Sequence, residues 1–321
     1  MKFVVAGAGA IGGYVGAKMA HAGMDVTLFA RGPHCRAMQE QGVRVQSAEG
    51  DFEARPHVTD TLESIGPADV VFLGVKAHGL PELAPKLRAL LAPETAVVSM
   101  QNGIPWWYFS GEERLEKVDP GGVIASSIEP ARIIGSIVYL STEIVASGVI
   151  RHGEGNRITL GEPDGARTER CHRISEALVE AGLRAPVTTH IRQEIWVKLL
   201  GNIAFNPISA LTGATLAGIA RDPEARELVR KMMEETEEVT RNLAIEMPIT
   251  IDQRIAGAQK VGEHKTSMLQ DLEAGRPLEL DAIIGSVVEL GERLGVDMPY
   301  TRAVYACTRL LEKQRRRTVA A

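Results

Sequence analysis

Short runs of hydrophobic residues alternate with helix-like stretches through the first half of the chain. Four of these runs fit buried strands, at residues 3–6, 26–30, 70–75 and 97–100. The stretches between them, such as residues 11–22 and 80–91, have helical periodicity. This alternation is typical of βαβ units, in which helices cover the faces of a parallel sheet.

The pattern changes in the second half of the chain. Residues 137–140, 149–151 and 158–160 resemble three more strands, which we expect to extend the same sheet. From about Ile191 onward, hydrophobic residues recur at helical spacing and no further strand is indicated. The sequence therefore predicts an α/β fold: a Rossmann-type doubly wound parallel sheet with a second, mainly α-helical domain. We place the boundary in an interrupted stretch, which divides the chain into residues 1–189 and 190–321.

Composition narrows the class of protein. A chain of 321 residues exceeds the ~250–300 at which a single core usually stops growing, in agreement with two domains. A net charge of -5 gives no general attraction to nucleic acid or anionic lipid. The three cysteines lack paired spacing, and we find neither a signal-peptide pattern nor a membrane-length apolar run. We expect a cytoplasmic protein that binds neither nucleic acid nor membrane, and a homodimer is one of the assemblies that the sequence leaves open.

A glycine-rich turn follows the first predicted strand. It has the pattern G-x-G-x-x-G and consists of Gly7, Ala8, Gly9, Ala10, Ile11 and Gly12. Between a strand and a helix, such a turn lets the backbone approach a dinucleotide pyrophosphate. The second strand leads to Arg31 and not to the acid that is usual in NAD enzymes, and a guanidinium can pair with a 2′-phosphate. We therefore expect NADPH/NADP as the cofactor, with a solvated surface arginine as the alternative.

Other polar residues occupy positions where a ligand could bind. Lys76 and Asn102 follow two later strands, at the carboxyl edge where open α/β sheets bind ligands, although ordinary loop residues also occur there. Lys198, Asn202 and Asn206 are spaced four apart and share one stripe of a predicted helix. A lysine aligned with two carboxamides can donate to a substrate carbonyl, and a solvated helix face is the alternative.

Together, the motifs resemble the ketopantoate reductase family over nearly the whole chain. They are the turn of residues 7–12, Arg31, Lys76-Ala77, Gln101-Asn102-Gly103, Trp196-x-Lys198-x-x-x-Asn202-x-x-x-Asn206-Pro207, and Ser267-Met268-Leu269-Gln270-Asp271 followed by Leu278-Glu279-Leu280-Asp281. The resemblance implies NADPH-dependent reduction of a 2-oxo acid, with ketopantoate (2-dehydropantoate) to pantoate in pantothenate biosynthesis as the expected reaction. Alternatives are reduction of another 2-oxo acid or related carbonyl, and a non-catalytic NADPH-binding sensor.

The resemblance also implies roles for single residues. Lys198 would be the general acid that protonates the ketone oxygen, and Glu279 would bond to the lysine, the cofactor ribose or a substrate hydroxyl. The residues that would hold substrate oxygens are Asn102, Asn202, Asn206 and Ser267. The cofactor would contact the turn of residues 7–12, Arg31, Lys76, Asn102 and Glu279. No metal is expected, because an ammonium beside a developing alkoxide supplies both the proton and the stabilising charge.

Some positions also have structural interpretations or depart from the family. Ser267 with Gln270 fits a capping box at a helix N-terminus. Glu279 fits an acid in the first turn of a helix. The asparagine that the family places near Leu216 is absent, and four adjacent aromatic residues occupy 106–109. For this aromatic run we consider both local packing and an apolar wall beside the substrate.

Overall fold

A computed structural model of the chain describes residues 1–320, with side chains through Arg315. The chain forms two compact units. Unit 1 comprises Met1–Gln101 and Gly121–Ile191, and unit 2 comprises Asn102–Pro120 and Arg192–Ala321.

Unit 1 contains all eleven strands assigned in the described part of the chain. They are β1 (Lys2–Ala6), β2 (Asp25–Phe29), β3 (Val43–Ser47), β4 (Phe52–Ala54), β5 (His57–Thr59), β6 (Ala68–Leu73), β7 (Leu91–Ser99), β8 (Ile133–Tyr139), β9 (Thr142–Ala146), β10 (Val149–His152) and β11 (Arg157–Gly161). The α-helices of this unit are α1 (Ala10–His21), α2 (Gly32–Gln41), α3 (Leu80–Leu83), α4 (Val123–Ser127) and α5 (Glu169–Glu180).

The main sheet of unit 1 has seven strands in the order β11-β8-β7-β6-β1-β2-β5. Every neighbouring pair is parallel except β11 with β8. The strand order reverses at β1, which lies between β2 and β6, and ligands bind outside the carboxyl ends of strands at such a reversal. The predicted Rossmann-type sheet is confirmed.

Helix α1 packs closely on this sheet because of a glycine. A Cβ added at Gly16 would lie 2.3 Å from Cδ2 of Leu28, so any larger residue would push the helix away from β2. A side chain of β1 is also close, since the same Cβ would lie 3.2 Å from Cγ2 of Val5. Helix α1 begins at Ala10, after the short glycine-rich turn that follows β1.

One strand prediction is wrong. Residues 149–151 do form a strand, but β10 does not extend the main sheet. It pairs with β3 and β9 in a separate four-stranded sheet of order β4-β3-β10-β9. The reason is one-sided burial: Ile150 is buried and contacts α1 at Gly13, whereas Arg151 is exposed. A strand buried on one face only is typical of a half-solvated sheet.

Unit 2 is helical, as the sequence predicts. Its helices are α6 (Ile191–Thr212), α7 (Leu216–Arg221), α8 (Pro223–Asn242), α9 (Ile251–Val261), α10 (Ser267–Glu273), α11 (Ser286–Leu294) and α12 (Pro299–Ala320), and a π-helical turn at Asp281–Gly285 leads into α11. Within residues 1–320, no helix is both long and apolar enough to cross a membrane.

The division into residues 1–189 and 190–321 stays a prediction about domains. The boundary of the compact units lies two residues later, at 191/192, and one further segment differs. Asn102–Pro120 clusters with the helices of unit 2, although it directly follows strand β7 of unit 1. Burial of aromatic side chains holds this segment in unit 2. Trp106, Trp107 and Tyr108 are all buried, and Tyr108 packs edge-on against Trp196 of α6.

Candidate active site

The glycine-rich turn has the local geometry of a dinucleotide cradle. Gly7 has φ +109°, and a Cβ there would lie 2.4 Å from Cγ1 of Val75, so only glycine fits. A Cβ at Gly12 would lie 2.3 Å from the carbonyl oxygen of Gly7. By contrast, a Cβ at Gly9 would have nothing within 4 Å, so the turn leaves open space beside the N-terminus of α1. Of the other predicted residues, Ala8 lies in the turn, and Ala10 and Ile11 begin α1.

Arg31 precedes α2 and lies beside a cavity of about 300 Å³. Its guanidinium is exposed and donates to Oε1 of Glu82 over 3.4 Å, and Lys86 donates to the same oxygen over 3.1 Å. Lys86, first by its hydrogen bond and then by its charge, lowers the pKa of Glu82, and the charge of Arg31 adds to this effect. Asp60 and Glu63 also line the cavity. Arg31 and Lys86 thus share the carboxylate of Glu82. An anionic ligand would have to displace this carboxylate to bind both cations.

Lys76 follows β6 in a loop that Gln101 holds in place. The side-chain amide of Gln101 donates to the carbonyl oxygens of Leu73 and Val75, over 2.8 and 2.9 Å. This ties the end of β7 to the end of β6, where the partly buried Lys76 precedes a short 3₁₀ turn. Gln101 had no predicted role of its own, although its place in the Gln101-Asn102-Gly103 motif was a signal.

In unit 2, three of the predicted site residues meet. Nζ of Lys198 donates to Oδ1 of Asn102 over 2.7 Å, and Nδ2 of Asn102 donates to Oε2 of Glu279 over 3.2 Å. The carboxamide therefore uses both of its ends and bridges the ammonium to the carboxylate. Glu279 is buried and Lys198 is partly buried. We call this group the lysine triad.

The lysine triad depends on the close approach of two backbone segments. The N–H of Ile104 donates to the carbonyl oxygen of Ala282 over 3.0 Å. Gly103 has φ +86°, and a Cβ there would lie only 2.1 Å from that same oxygen. The glycine after Asn102 therefore lets this segment lie against the π-helical turn that follows Glu279.

Aromatic packing holds the same segment on α6. Trp196 is fully buried and its indole N–H donates to the hydroxyl of Tyr108 over 3.0 Å. Arg192 donates to the carbonyl oxygen of Tyr108 over 2.6 Å and lies over its ring. This supports the local-packing interpretation for Tyr108. The proposed role of Trp106 or Trp107 as a wall beside the substrate stays a prediction.

Burial and two neighbouring charges determine the pKa of Lys198. Burial is the largest cause, and it lowers the pKa of the ammonium to about 8. The carboxylate of Glu279 raises this pKa, whereas the guanidinium of Arg254 lowers it. A lysine with a pKa near neutrality can both hold and release a proton under physiological conditions, which is what a general acid requires.

The remaining predicted substrate ligands lie on α6 and α10. Asn202 and Asn206 follow Lys198 on α6 at steps of roughly 6 Å along the helix axis. Asn206 is 5% exposed, and its Nδ2 has no hydrogen-bond partner among the described residues. Ser267 is exposed at the first position of α10.

Ser267 and Glu279 both lie near helix starts, where the sequence also gave them structural interpretations. The capping box at Ser267 is wrong, because the cap is Thr266, whose hydroxyl accepts from the N–H of Leu269. Glu279 lies just before the helical turn, its carbonyl oxygen accepts from the N–H of Ile283, and its side chain is engaged by Asn102. Glu279 therefore combines a place at a helix start with membership of the lysine triad.

Replacement of Gly103 by alanine is expected to disrupt the lysine triad. The added methyl group would overlap the Ala282 carbonyl oxygen and force a positive φ on an L-residue, so we expect a loss of about 3 kcal/mol in the free energy of unfolding. Gly111→Ala is the matched control: it also has positive φ but open space around the Cβ, and should cost about 1 kcal/mol. Denaturant unfolding measures both variants, and equal losses would show that the contact with Ala282 is unimportant.

Comparison with known proteins shows the family. A family model described as "Ketopantoate reductase PanE/ApbA" matches residues 3–165, and one described as "Ketopantoate reductase PanE/ApbA C terminal" matches residues 190–312. A 2-dehydropantoate 2-reductase of Mesorhizobium japonicum is 49% identical, over 98% of this chain and 99% of the relative. The enzyme of that name from Archaeoglobus fulgidus is 31% identical, over 96% of this chain and 97% of its own length.

Solved structures agree with this result. A putative ketopantoate reductase from Ralstonia solanacearum MolK2 superposes with a TM-score of 0.93 at 37% identity, covering 98% of both chains. A D-mandelate dehydrogenase, solved with NADH and anilino(oxo)acetate, has the same fold with a TM-score of 0.87 at 22% identity, covering 98% of this chain and 99% of its own. The chain therefore belongs to the ketopantoate reductase family, a family of oxidoreductases.

Proposed function

We propose that this chain reduces 2-dehydropantoate to pantoate with NADPH, as a cytoplasmic enzyme of pantothenate biosynthesis. The similarity to 2-dehydropantoate 2-reductases over nearly the whole chain supports the reaction. The observation that carries the proposal is the lysine triad, in which a lysine with a pKa of about 8 is bridged by an amide to a buried carboxylate. A protein that only senses a cofactor needs no such proton donor.

In the proposed reaction, NADPH supplies a hydride to the ketone carbon when it is bound. Lys198 gives the proton on Nζ to the ketone oxygen as the C=O double bond becomes a C–O single bond. The ammonium stabilises the negative charge that develops on this oxygen, and the proton then completes the hydroxyl group. The neutral amine recovers its proton from water.

The other members of the lysine triad control this proton. Asn102 orients the ammonium through its carboxamide oxygen, and the negative charge of Glu279 keeps Lys198 protonated against the effect of burial. We assign substrate oxygens to Asn102, Asn202, Asn206 and Ser267. Of these, Asn206 has a buried amide group suited to a ligand oxygen, because a buried donor without a partner is costly.

For the cofactor, we propose contacts with the turn of residues 7–12, Arg31, Lys76, Asn102 and Glu279. The space beside Gly9 suits the pyrophosphate. The cavity beside Arg31 suits the adenosine part, and Arg31 and Lys86 provide positive charge for a 2′-phosphate. Because Glu82 already accepts from both cations, it would compete with the phosphate.

We therefore expect opposite effects on NADPH binding from changes at Arg31 and Glu82. Arg31→Ala should weaken NADPH binding by roughly 10-fold or more and leave NADH binding little changed. Glu82→Gln should tighten NADPH binding, since both cations lose a competing carboxylate. Fluorescence titration of each purified variant with both cofactors measures this, with the exposed Arg88→Ala as control. Equal losses of NADPH and NADH affinity in Arg31→Ala would remove Arg31 from the 2′-phosphate site.

Steady-state oxidation of NADPH with a panel of 2-oxo acids tests the function itself. We expect ketopantoate to give the highest kcat/KM. A higher value for another 2-oxo acid would keep the chemistry and change the substrate. If NADPH binds but no 2-oxo acid or related carbonyl is reduced, the proposed reaction is wrong and a sensor becomes the better interpretation.

A further inference from the structure

An arginine lies beside the lysine triad and was absent from the sequence motifs. Arg254 is on α9, and its guanidinium lies directly on the backbone of α6 at Gly201. A Cβ at Gly201 would lie 1.8 Å from Nη2, 2.3 Å from Cζ and 2.4 Å from Nε of Arg254. Only a glycine leaves room for the guanidinium at this position.

The position of Gly201 places this cation close to the proposed proton donor. Gly201 follows Lys198 by three residues, so the two positions are neighbours on the same side of α6. The electrostatic effect agrees, because the charge of Arg254 lowers the pKa of Lys198. Arg254 as a whole is partly buried.

Two cations act together with one carboxylate at this position. The charges that shift the pKa of Lys198 come from one carboxylate, Glu279, and one guanidinium, Arg254. With Lys198 protonated, this group of three carries one positive charge in excess. A cation held next to another cation costs free energy unless an anion binds between or beside them.

We infer that Arg254 binds the carboxylate of the 2-oxo acid while Lys198 addresses its ketone oxygen. In a 2-oxo acid the carboxylate is bonded directly to the ketone carbon, so the two oxygen sites must lie close together. Adjacent cations on α9 and α6 meet this requirement, and a guanidinium can bind a carboxylate with two parallel hydrogen bonds. This inference rests on the proposed function, since it assumes a 2-oxo acid substrate.

The test compares an acid with its uncharged counterpart. We would measure kcat/KM for ketopantoate and for ketopantoate amide in the parent, Arg254→Gln and Arg254→Lys. In Arg254→Gln the ratio of acid to amide should fall about 100-fold, because two charge-assisted hydrogen bonds are lost for the acid only. The acid-to-amide ratio of Arg254→Lys should lie between the ratios of the parent and Arg254→Gln. Lys260→Gln removes a positive charge from an exposed position on the same helix and should leave the ratio unchanged.

Equal losses for the acid and the amide would overturn the inference, since a purely structural arginine affects both substrates alike. Calorimetric binding of oxamate, which carries a carboxylate beside an amide carbonyl, separates this result from failure of the proposed function. If the parent reduces neither compound but binds oxamate through Arg254, the reaction is wrong and the carboxylate site stands. If the parent and Arg254→Gln bind oxamate equally, or neither binds it, the carboxylate site is wrong.

Discussion

Replacement of Lys198 by alanine is expected to lower kcat by roughly 10²- to 10⁴-fold, which corresponds to about 3–5 kcal/mol of barrier. The loss follows from removing both the proton and the positive charge at the ketone oxygen. Lys198→Arg should be nearly as inactive, because a guanidinium keeps the charge but does not release a proton near neutral pH. The measurement is NADPH oxidation at saturating substrate, with NADPH binding measured separately.

The pH dependence gives an independent result for the same residue. Reduction needs the protonated ammonium, so the rate should be highest at pH below the pKa of Lys198, about 8, and should fall as pH rises through it. Lys231→Ala, at a partly exposed lysine on α8 paired with Glu234, should keep the parental rate and profile. Near-parental turnover in Lys198→Ala would end its assignment as the general acid.

The second large effect is expected from Glu279→Gln. Glutamine retains an oxygen that can accept from Nδ2 of Asn102, but the negative charge that raises the pKa of Lys198 is lost. Burial and Arg254 then lower this pKa unopposed, so more of the lysine is neutral at any pH near 8. We expect turnover at pH 8 to fall roughly 10- to 100-fold, with a smaller loss at pH 6.

The comparison between pH values distinguishes a lowered pKa of Lys198 from a general distortion of the site by the substitution. The descending limb of the rate profile should move to lower pH in Glu279→Gln. Glu292→Gln, at an exposed carboxylate of α11 paired with Arg302, should leave the limb in place. An unshifted limb in Glu279→Gln would mean that Glu279 acts by position and not through its charge.

The main features of the fold could be predicted because they depend on local patterns. Strands β1, β2, β6 and β7 each contain a buried run of mostly hydrophobic residues, and the glycine turn marks the start of α1. Strands β3 to β5 could not be recognised in this way. In the second sheet, β3 alternates buried Val43 and Val45 with exposed Arg44, so its hydrophobic signal is weak.

Site residues could be predicted where they belong to a sequence motif. A residue that reaches the site only through the tertiary structure could not be predicted. The resemblance singled out Asn102, Lys198 and Glu279, which the structure joins by hydrogen bonds. Arg254 could not be found, since nothing local distinguishes one arginine on an amphipathic helix from another. Its partner Gly201 was the available signal: a glycine inside a helix lowers helix stability, which suggests that close packing requires it there.

Because Asn102–Pro120 belongs to unit 2, recombination between homologues is restricted. The chain passes between the units at 101/102, 120/121 and 191/192, and Asn102 is separated by 96 and 177 residues from its partners Lys198 and Glu279. A chimera with a single crossover at 191 would inherit Asn102 from one parent and Lys198 from the other. Exchange of the helical unit between homologues must therefore carry residues 102–120 with it, which requires crossovers at 101/102 and 120/121 as well as at 191/192.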